Sequence, residues 1–259
     1  MSELPENLKQ PLVELLLSLA DDKFMLGHRN ADWTGLAPIL EEDIAFSSMS
    51  QDELAHATEL YGLVAKLTAD DANRLAYDRE PRTYLCAAIV ELRDDFDWAV
   101  ALARKWFCDH FDMLRLGRLE RSAHELLAAM GRRMLAEERV HVEHCDMWMR
   151  RLGASAGEAH DRIQAACDKL AHDAAMLFEP TEGVDQLEAA GIYPHCEGDM
   201  FARWEQALRA IAEPAGVRLS LRRPAAGDKG GRRGQHCPGF DGMLNELCEV
   251  YRIEPQAAW

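Results

Sequence analysis

The sequence predicts an all-α protein built on long helices, and three observations carry that reading. Apolar residues recur at three- and four-residue steps over stretches too long for strands. β-branched residues are sparse within those stretches, which favours helix. No run alternates apolar and polar positions, and no unit of about 20 to 50 residues repeats, so neither a sheet nor a solenoid is expected. With 259 residues, 48% of them hydrophobic, the chain is long enough to close one large core or two small ones. The expectation is a single domain over residues 1–259, with a core bundle at about 11–152 and a helical extension at 153–259.

The first helix is expected from Pro11 to Arg29, through Leu12, Leu15, Leu16, Leu19, Phe24 and Leu26. Asp32, Trp33, Thr34 and Gly35 break the pattern, and Pro38 opens a second helix that runs to about Leu67. Asp70 to Pro81 reads as a connection with a short helical turn, and Arg82 to Leu92 as a further helical piece ending at Asp94–Asp95. The third long helix spans about Asp97 to Glu120, through Trp98, Leu102, Trp106, Phe107, Phe111 and Leu114. The fourth begins after Ser122 and reaches about Leu152, where Gly153 supplies a stop. Two more helices are expected at about Gly157 to Phe178 and Asp199 to Ala212, then an Arg/Gly-rich loop, then a last helix from Gly239 to Tyr251.

A formal charge of −16 repels polyanions over most of the surface, which argues against general nucleic-acid binding. Basic residues gather in one segment. Between Gly216 and Gly234 six of them (Arg218, Arg222, Arg223, Lys229, Arg232, Arg233) face one acid, Asp228. The seven cysteines are odd in number and contain no Cys-x-x-Cys pair, so neither a disulfide framework nor a zinc knuckle is suggested, and a reducing compartment fits. Met1 to Glu14 carries acids and prolines where a signal peptide needs a basic start and an apolar run. No stretch approaches the ~20 apolar residues of a membrane span. The expected location is the cytoplasm.

Two motifs carry chemistry. The second long helix contains Glu53-Leu54-Ala55-His56, and the fourth contains Glu138-Arg139-Val140-His141. Residues three apart share a helix face, so each Glu-x-x-His aims a carboxylate and an imidazole at one place. Ferritin-like dinuclear proteins carry one such motif on each of two helices and add a single carboxylate from each of the other two. The preceding helices offer those acids in near register: Asp22 stands 31 positions before Glu53, and Asp109 stands 29 before Glu138. The expected ligand set is therefore Asp22, Glu53, His56, Asp109, Glu138 and His141, in a ferritin-like four-helix bundle with additional C-terminal helices.

Oxygen and imidazole donors suit two iron ions, with manganese the alternative, and open positions on such a centre admit oxygen. Four carboxylates largely neutralise two divalent ions inside the bundle. Without metal they would be buried like charges, and some would protonate. The structural alternatives are Glu138 and Glu137 as solvated surface acids, an ion pair of Asp109 with Arg104 or Lys105, and a polar kink at Asp21–Asp22. Periodicity does not separate Asp21 from Asp22 as the ligand. His28, His110, His124 and His144 read as core or surface histidines.

Taken together, Leu19-Ala20-Asp21-Asp22, Leu26-Gly27-His28-Arg29, Trp33, Glu41-Glu42-Asp43-Ile44-Ala45, Arg104 with Phe107 and Asp109, Arg151-Leu152-Gly153, and the Gly-rich loop before a helix ending in Trp259 resemble the PaaC family of phenylacetic acid degradation proteins. The resemblance runs from about Leu12 to Trp259. It implies a ferritin-like subunit of a multicomponent ring epoxidase acting on phenylacetyl-coenzyme A, partnered by a catalytic PaaA-type subunit within a homo- or hetero-oligomer. Usual members of that family resemble structural subunits with non-ligand residues at the metal site, whereas both Glu-x-x-His motifs are intact here. The expectation is an oxygen-activating di-iron component of an aryl-coenzyme A epoxidase; the alternative is a non-catalytic structural subunit. Electrons would come from a separate reductase, since no flavin, nicotinamide or iron–sulfur motif is present. Arg222, Arg223, Arg232 and Arg233 are the candidates for the phosphates of an acyl-coenzyme A substrate.

Overall fold

A computed structural model describes residues 4–92, 96–225, 227–255 and 257. The Asp94–Asp95 helix end and Trp259 lie outside the described residues. Among the described residues the chain is all-α, with no strand, as the periodicity requires and as a ferritin-like bundle demands. No helix among them is long and apolar enough to cross a membrane. The chain groups into two compact units, one of residues 1–93 with 229–259 and the other of residues 94–228.

In the first unit, α1 (Glu6–Ala31) and α2 (Leu40–Thr68) pack along each other as antiparallel neighbours. Helix α1 starts a turn before the expected Pro11, which sits inside the helix and removes one bond of its ladder. Its burial is nearly all-round in the second half, with Asp21, Asp22, Lys23 and Phe24 all covered. Helix α2 ends where Ala69 turns left-handed, at φ 56°. The connection contains α3 (Ala72–Tyr77), which Asp71 caps by accepting from the Arg74 N–H, and α4 (Ala88–Glu91) follows a single turn at Pro81–Thr83. The expected helix at Arg82–Leu92 is thus interrupted by extended chain at residues 84–87 and reduced to a single α-helical turn, α4. The reason is local: Leu85 and Ala87 give their N–H groups to Asp21 and Asp22 instead of to a helix ladder. The last α-helix of the chain, Phe240–Ile253, returns to this unit and stacks Tyr251 on Tyr77 at 5.3 Å.

In the second unit, α5 (Trp98–Glu120) and α6 (Glu125–Gly153) form the other antiparallel pair. Asp97 caps α5 at the Ala99 N–H. Helices α7 (Glu158–Ala175), α8 (Val184–Ala189) and α9 (Met200–Ala212) complete the unit, and the last gathers Phe111, Phe178, Phe201 and Trp204 into edge-on aromatic contacts. The helix after Gly239 is therefore α10. Gly153 does not stop α6 by a left-handed turn: it is the last helical residue, and an added Cβ would come within 2.8 Å of Ala215 and Val217. Close packing, not backbone freedom, selects glycine there.

Helices α5 and α6 approach closely at Gly131, where an added Cβ would meet the Glu120 nitrogen at 2.5 Å and the Leu119 carbonyl carbon at 2.8 Å. Backbone cannot swing aside as a side-chain tip can. Gly131→Ala is expected to destabilise the protein by about 1–3 kcal/mol despite alanine's better helix propensity, read as a lower urea midpoint. Gly62→Ala, with open space around it in α2, serves as the control and is expected to be neutral or stabilising.

Candidate metal centre

Each antiparallel helix pair carries one half of the expected site. On α1 and α2, Ser50 donates to the Gly27 carbonyl at 2.6 Å, and an added Cβ on Gly27 would meet Leu54 at 2.8 Å. That close approach sets the level of α2 against α1. At that level Glu53 and His56 are both buried, as the Glu-x-x-His spacing predicts. The α1 side chain that meets Glu53 is Lys23: its ammonium lies 2.7 Å from Oε2, with both side chains covered.

The two neighbouring acids turn elsewhere. Asp21 accepts from the Tyr61 hydroxyl at 2.6 Å, the Leu85 N–H at 2.6 Å and the Arg79 guanidinium. Burial, and after it the Asp21 charge, pushes the Tyr61 hydroxyl well above its ordinary pKa, so it remains a donor. Asp22 is held bidentately by Arg232, at 2.9 Å to Oδ1 and 2.6 Å to Oδ2, and accepts the Ala87 N–H at 2.8 Å. Arg232 also donates to the carbonyls of Ser18, at 3.1 Å, and Leu85.

On α5 and α6 the arrangement is tighter. Asp109, Glu138 and His141 are all buried, and each offers a ligand atom within 4.8 Å of the others. The Lys105 ammonium stands 2.8 Å from Asp109 Oδ1 and 3.4 Å from His141 Nδ1. His141 Nδ1 is 3.9 Å from Glu138 Oε2, and the Cys145 thiol donates to Asp109 Oδ2 at 3.4 Å. Burial, reinforced by the Asp109 charge, holds that thiol protonated.

The sequence-derived residues therefore divide. Asp109, Glu138 and His141 come together as expected, and Glu53 and His56 share a buried face of α2. Asp22 does not join Glu53, because Arg232 takes both of its oxygens. Asp21 does not replace it, because Arg79 and the Tyr61 hydroxyl take one of its oxygens and the Leu85 N–H takes the other. Arg232, one of the four candidates for coenzyme A phosphates, is buried and neutralises Asp22. Of the other three candidates, Arg222 and Arg223 belong to the second unit and Arg233 to the first, and Arg223 pairs with Asp199 at 2.5 Å. His110 shares Asp146 with the Trp106 indole, at 2.9 and 2.8 Å, and burial brings His28 down to about 4, so both are packing histidines.

By donor type and spacing, Asp109, Glu138 and His141 suit a divalent cation. By charge they do not, so long as Lys105 is an ammonium. A divalent ion about 4 Å from it would be repelled by about 8 kcal/mol at an effective dielectric of about 20. The acids that were expected to protonate without metal have instead a lysine each at Glu53 and Asp109. Lys105 was legible as the i−4 neighbour of Asp109. Lys23 was not, because it is one residue past the acids that the periodicity favoured, and Arg232 lies 210 positions from Asp22.

Two comparisons with known proteins bear on this arrangement. The model of the phenylacetic acid catabolic protein family matches residues 1–259. The chain is also similar to the C-type subunit of the 1,2-phenylacetyl-CoA epoxidase of Escherichia coli (strain K12), at 29% identity over 249 residues, covering 96% of this chain and 99% of that one.

If Arg232 serves Asp22 and not an external phosphate, its loss strands a buried carboxylate. Arg232→Met is expected to cost about 3–5 kcal/mol of stability, and the exposed Arg222→Ala about 0.5 kcal/mol or less, both by chemical denaturation.

Proposed function

The chain belongs to the phenylacetic acid catabolic protein family, and from that premise we propose that it is a non-catalytic subunit of a multicomponent aryl-coenzyme A epoxidase, one that supports a catalytic partner instead of activating oxygen. Its role lies in phenylacetate catabolism. The observation that carries the finer reading is the pair of buried ammonium groups, Lys23 on Glu53 and Lys105 on Asp109. Each neutralises a carboxylate that a metal would otherwise hold; the Lys23–Glu53 pair also ties α1 to α2, and Lys105 reaches α6 through its 3.4 Å contact with His141. In this reading the acyl-coenzyme A and the iron belong to a PaaA-type subunit, and a separate reductase supplies electrons.

A second reading, a chain that binds two iron ions (or manganese) and is itself the oxygenase component, is favoured by one observation: Asp109, Glu138 and His141 keep buried ligand atoms within 4.8 Å of one another. Those three would hold the ion. Iron so held would supply oxygen activation. The chain's own contribution would be to displace or deprotonate Lys105 and to exclude water.

Metal analysis separates the two. Expressed aerobically with ample iron, the wild-type protein is expected to carry well under one iron per chain, and Lys105→Ala to take up more than wild type because the competing charge is gone. About two irons per wild-type chain, lost on Glu138→Ala with the helical circular dichroism intact, would overturn the structural reading in favour of the second.

A further inference from the structure

Cys86, Glu91 and His236 stand apart from the Glu-x-x-His motifs and are not accounted for by the function above. All three lie in the first unit, and their ligand atoms fall within 4.8 Å of one another. The Cys86 thiol is 3.5 Å from Glu91 Oε1, and His236 Nδ1 is 2.6 Å from the same oxygen. The Cys237 N–H donates to the other carboxylate oxygen, Oε2, at 2.7 Å, which brings a second thiol-bearing residue alongside. Cys86 and Glu91 are buried, and the His236 side chain is 7% exposed. Its Nε2 is buried without a hydrogen-bond partner among the described residues.

The cluster differs from the other two carboxylate sites in one decisive respect. Among the described residues, no lysine or arginine donates to the carboxylate of Glu91, whereas Glu53, Asp109 and Asp22 each have a cation at 2.6 to 2.8 Å. A thiol, an imidazole and a carboxylate converge there, and the two guanidiniums close by turn to other acceptors: Arg29 to the Glu91 backbone carbonyl at 3.5 Å and Arg232 to Asp22. We propose that Cys86, Glu91 and His236, with Cys237 beside them, form a site for a zinc-class divalent cation.

The donors match that chemistry. Zinc takes sulfur, nitrogen and oxygen donors at roughly 2.0–2.3 Å in a tetrahedron, which spaces them at roughly 3.3–3.8 Å; the Cys86–Glu91 distance of 3.5 Å meets this, and the ion would open the 2.6 Å hydrogen bond between His236 and Glu91. Softer thiolate with imidazole selects zinc-class ions over magnesium or calcium. Cys86 gives its thiol proton to solvent on binding, and the ion replaces it. An open cleft lined by Glu80, Arg82, His236, Cys237 and Asp241 provides the entry path. Such an ion would join the segment before α10 to the turn that begins α4, closing a loop of about 150 residues and fixing both ends of the first unit. Gly231 supports the approach of the two segments: an added Cβ would overlap the Cys86 carbonyl oxygen at 1.7 Å.

Cobalt(II) is the probe, because its thiolate charge-transfer band reports a Cys–metal bond directly. The full-length apo protein is expected to bind about one cobalt with that band, displaced by zinc. Cys86→Ser and His236→Gln are each expected to abolish the band and weaken binding by more than about 100-fold, above the range for changes outside the ligand shell. Cys145→Ser, which removes the thiol beside Asp109, is expected to leave it unchanged. Absence of the band in wild type, its retention in either Cys86→Ser or His236→Gln with wild-type circular dichroism, or its loss in Cys145→Ser overturns the assignment. The iron content that tests the proposed function is read on the other residues, so the two outcomes are separable.

Discussion

A charge buried inside a helical protein must meet an opposite charge or a full set of donors, and that constraint organises both units. Taking a carboxylate out of water costs several kcal/mol, and the cost is met only where a partner is fixed in place. Asp21 meets Arg79, Asp22 meets Arg232, Glu53 meets Lys23, Asp109 meets Lys105 and Glu188 meets Arg118. These pairs add little net stability against an apolar core, but they are specific. Sliding α1 along α2 would draw Lys23 away from Glu53. Paired acids and bases thereby fix helix register more sharply than leucines, which tolerate sliding.

The same constraint explains why the chain folds its two ends together. Asp22 needs both Nη atoms of Arg232, and Arg232 needs the carbonyls of Ser18 and Leu85 as well as the acid. The extended chain between the turn at Pro81–Thr83 and α4 gives its N–H groups to Asp21 and Asp22, so it could not also be helical. One buried aspartate pair on α1 thus sets the path of residues 85–87 and of the segment around Gly231.

The helices were legible because burial in a bundle writes itself into the 3.6-residue period, and because Asp71, Asp97 and Asp199 sit where side chains cap the helices that follow. The pairs of acid and imidazole on α2 and α6 were legible for the same geometric reason. What a helix face meets across the gap was not. Glu-x-x-His states that two donors share a direction; it does not state whether a metal or an ammonium stands opposite. For Asp109 the answer was four residues away on its own helix, and an ion pair with Lys105 was among the readings the sequence allowed. For Asp22 the answer was 210 residues away, and no local pattern could contain it.

The cysteines make the complementary point. Spacing along the chain is a signal only for ligands carried on one turn or knuckle; a site assembled from a helix start and a distant loop leaves no spacing to read. Cys86 precedes Glu91 by five residues and His236 follows it by 145, so the absence of Cys-x-x-Cys said nothing about metal. Charge bookkeeping on the folded chain is the better discriminator. Where a lysine already sits on the carboxylate, as at Glu53 and Asp109, metal-type donors can persist without metal. Where a histidine and thiols meet the carboxylate and, among the described residues, no lysine or arginine donates to it, as at Glu91, a divalent cation can take the place that a lysine holds elsewhere.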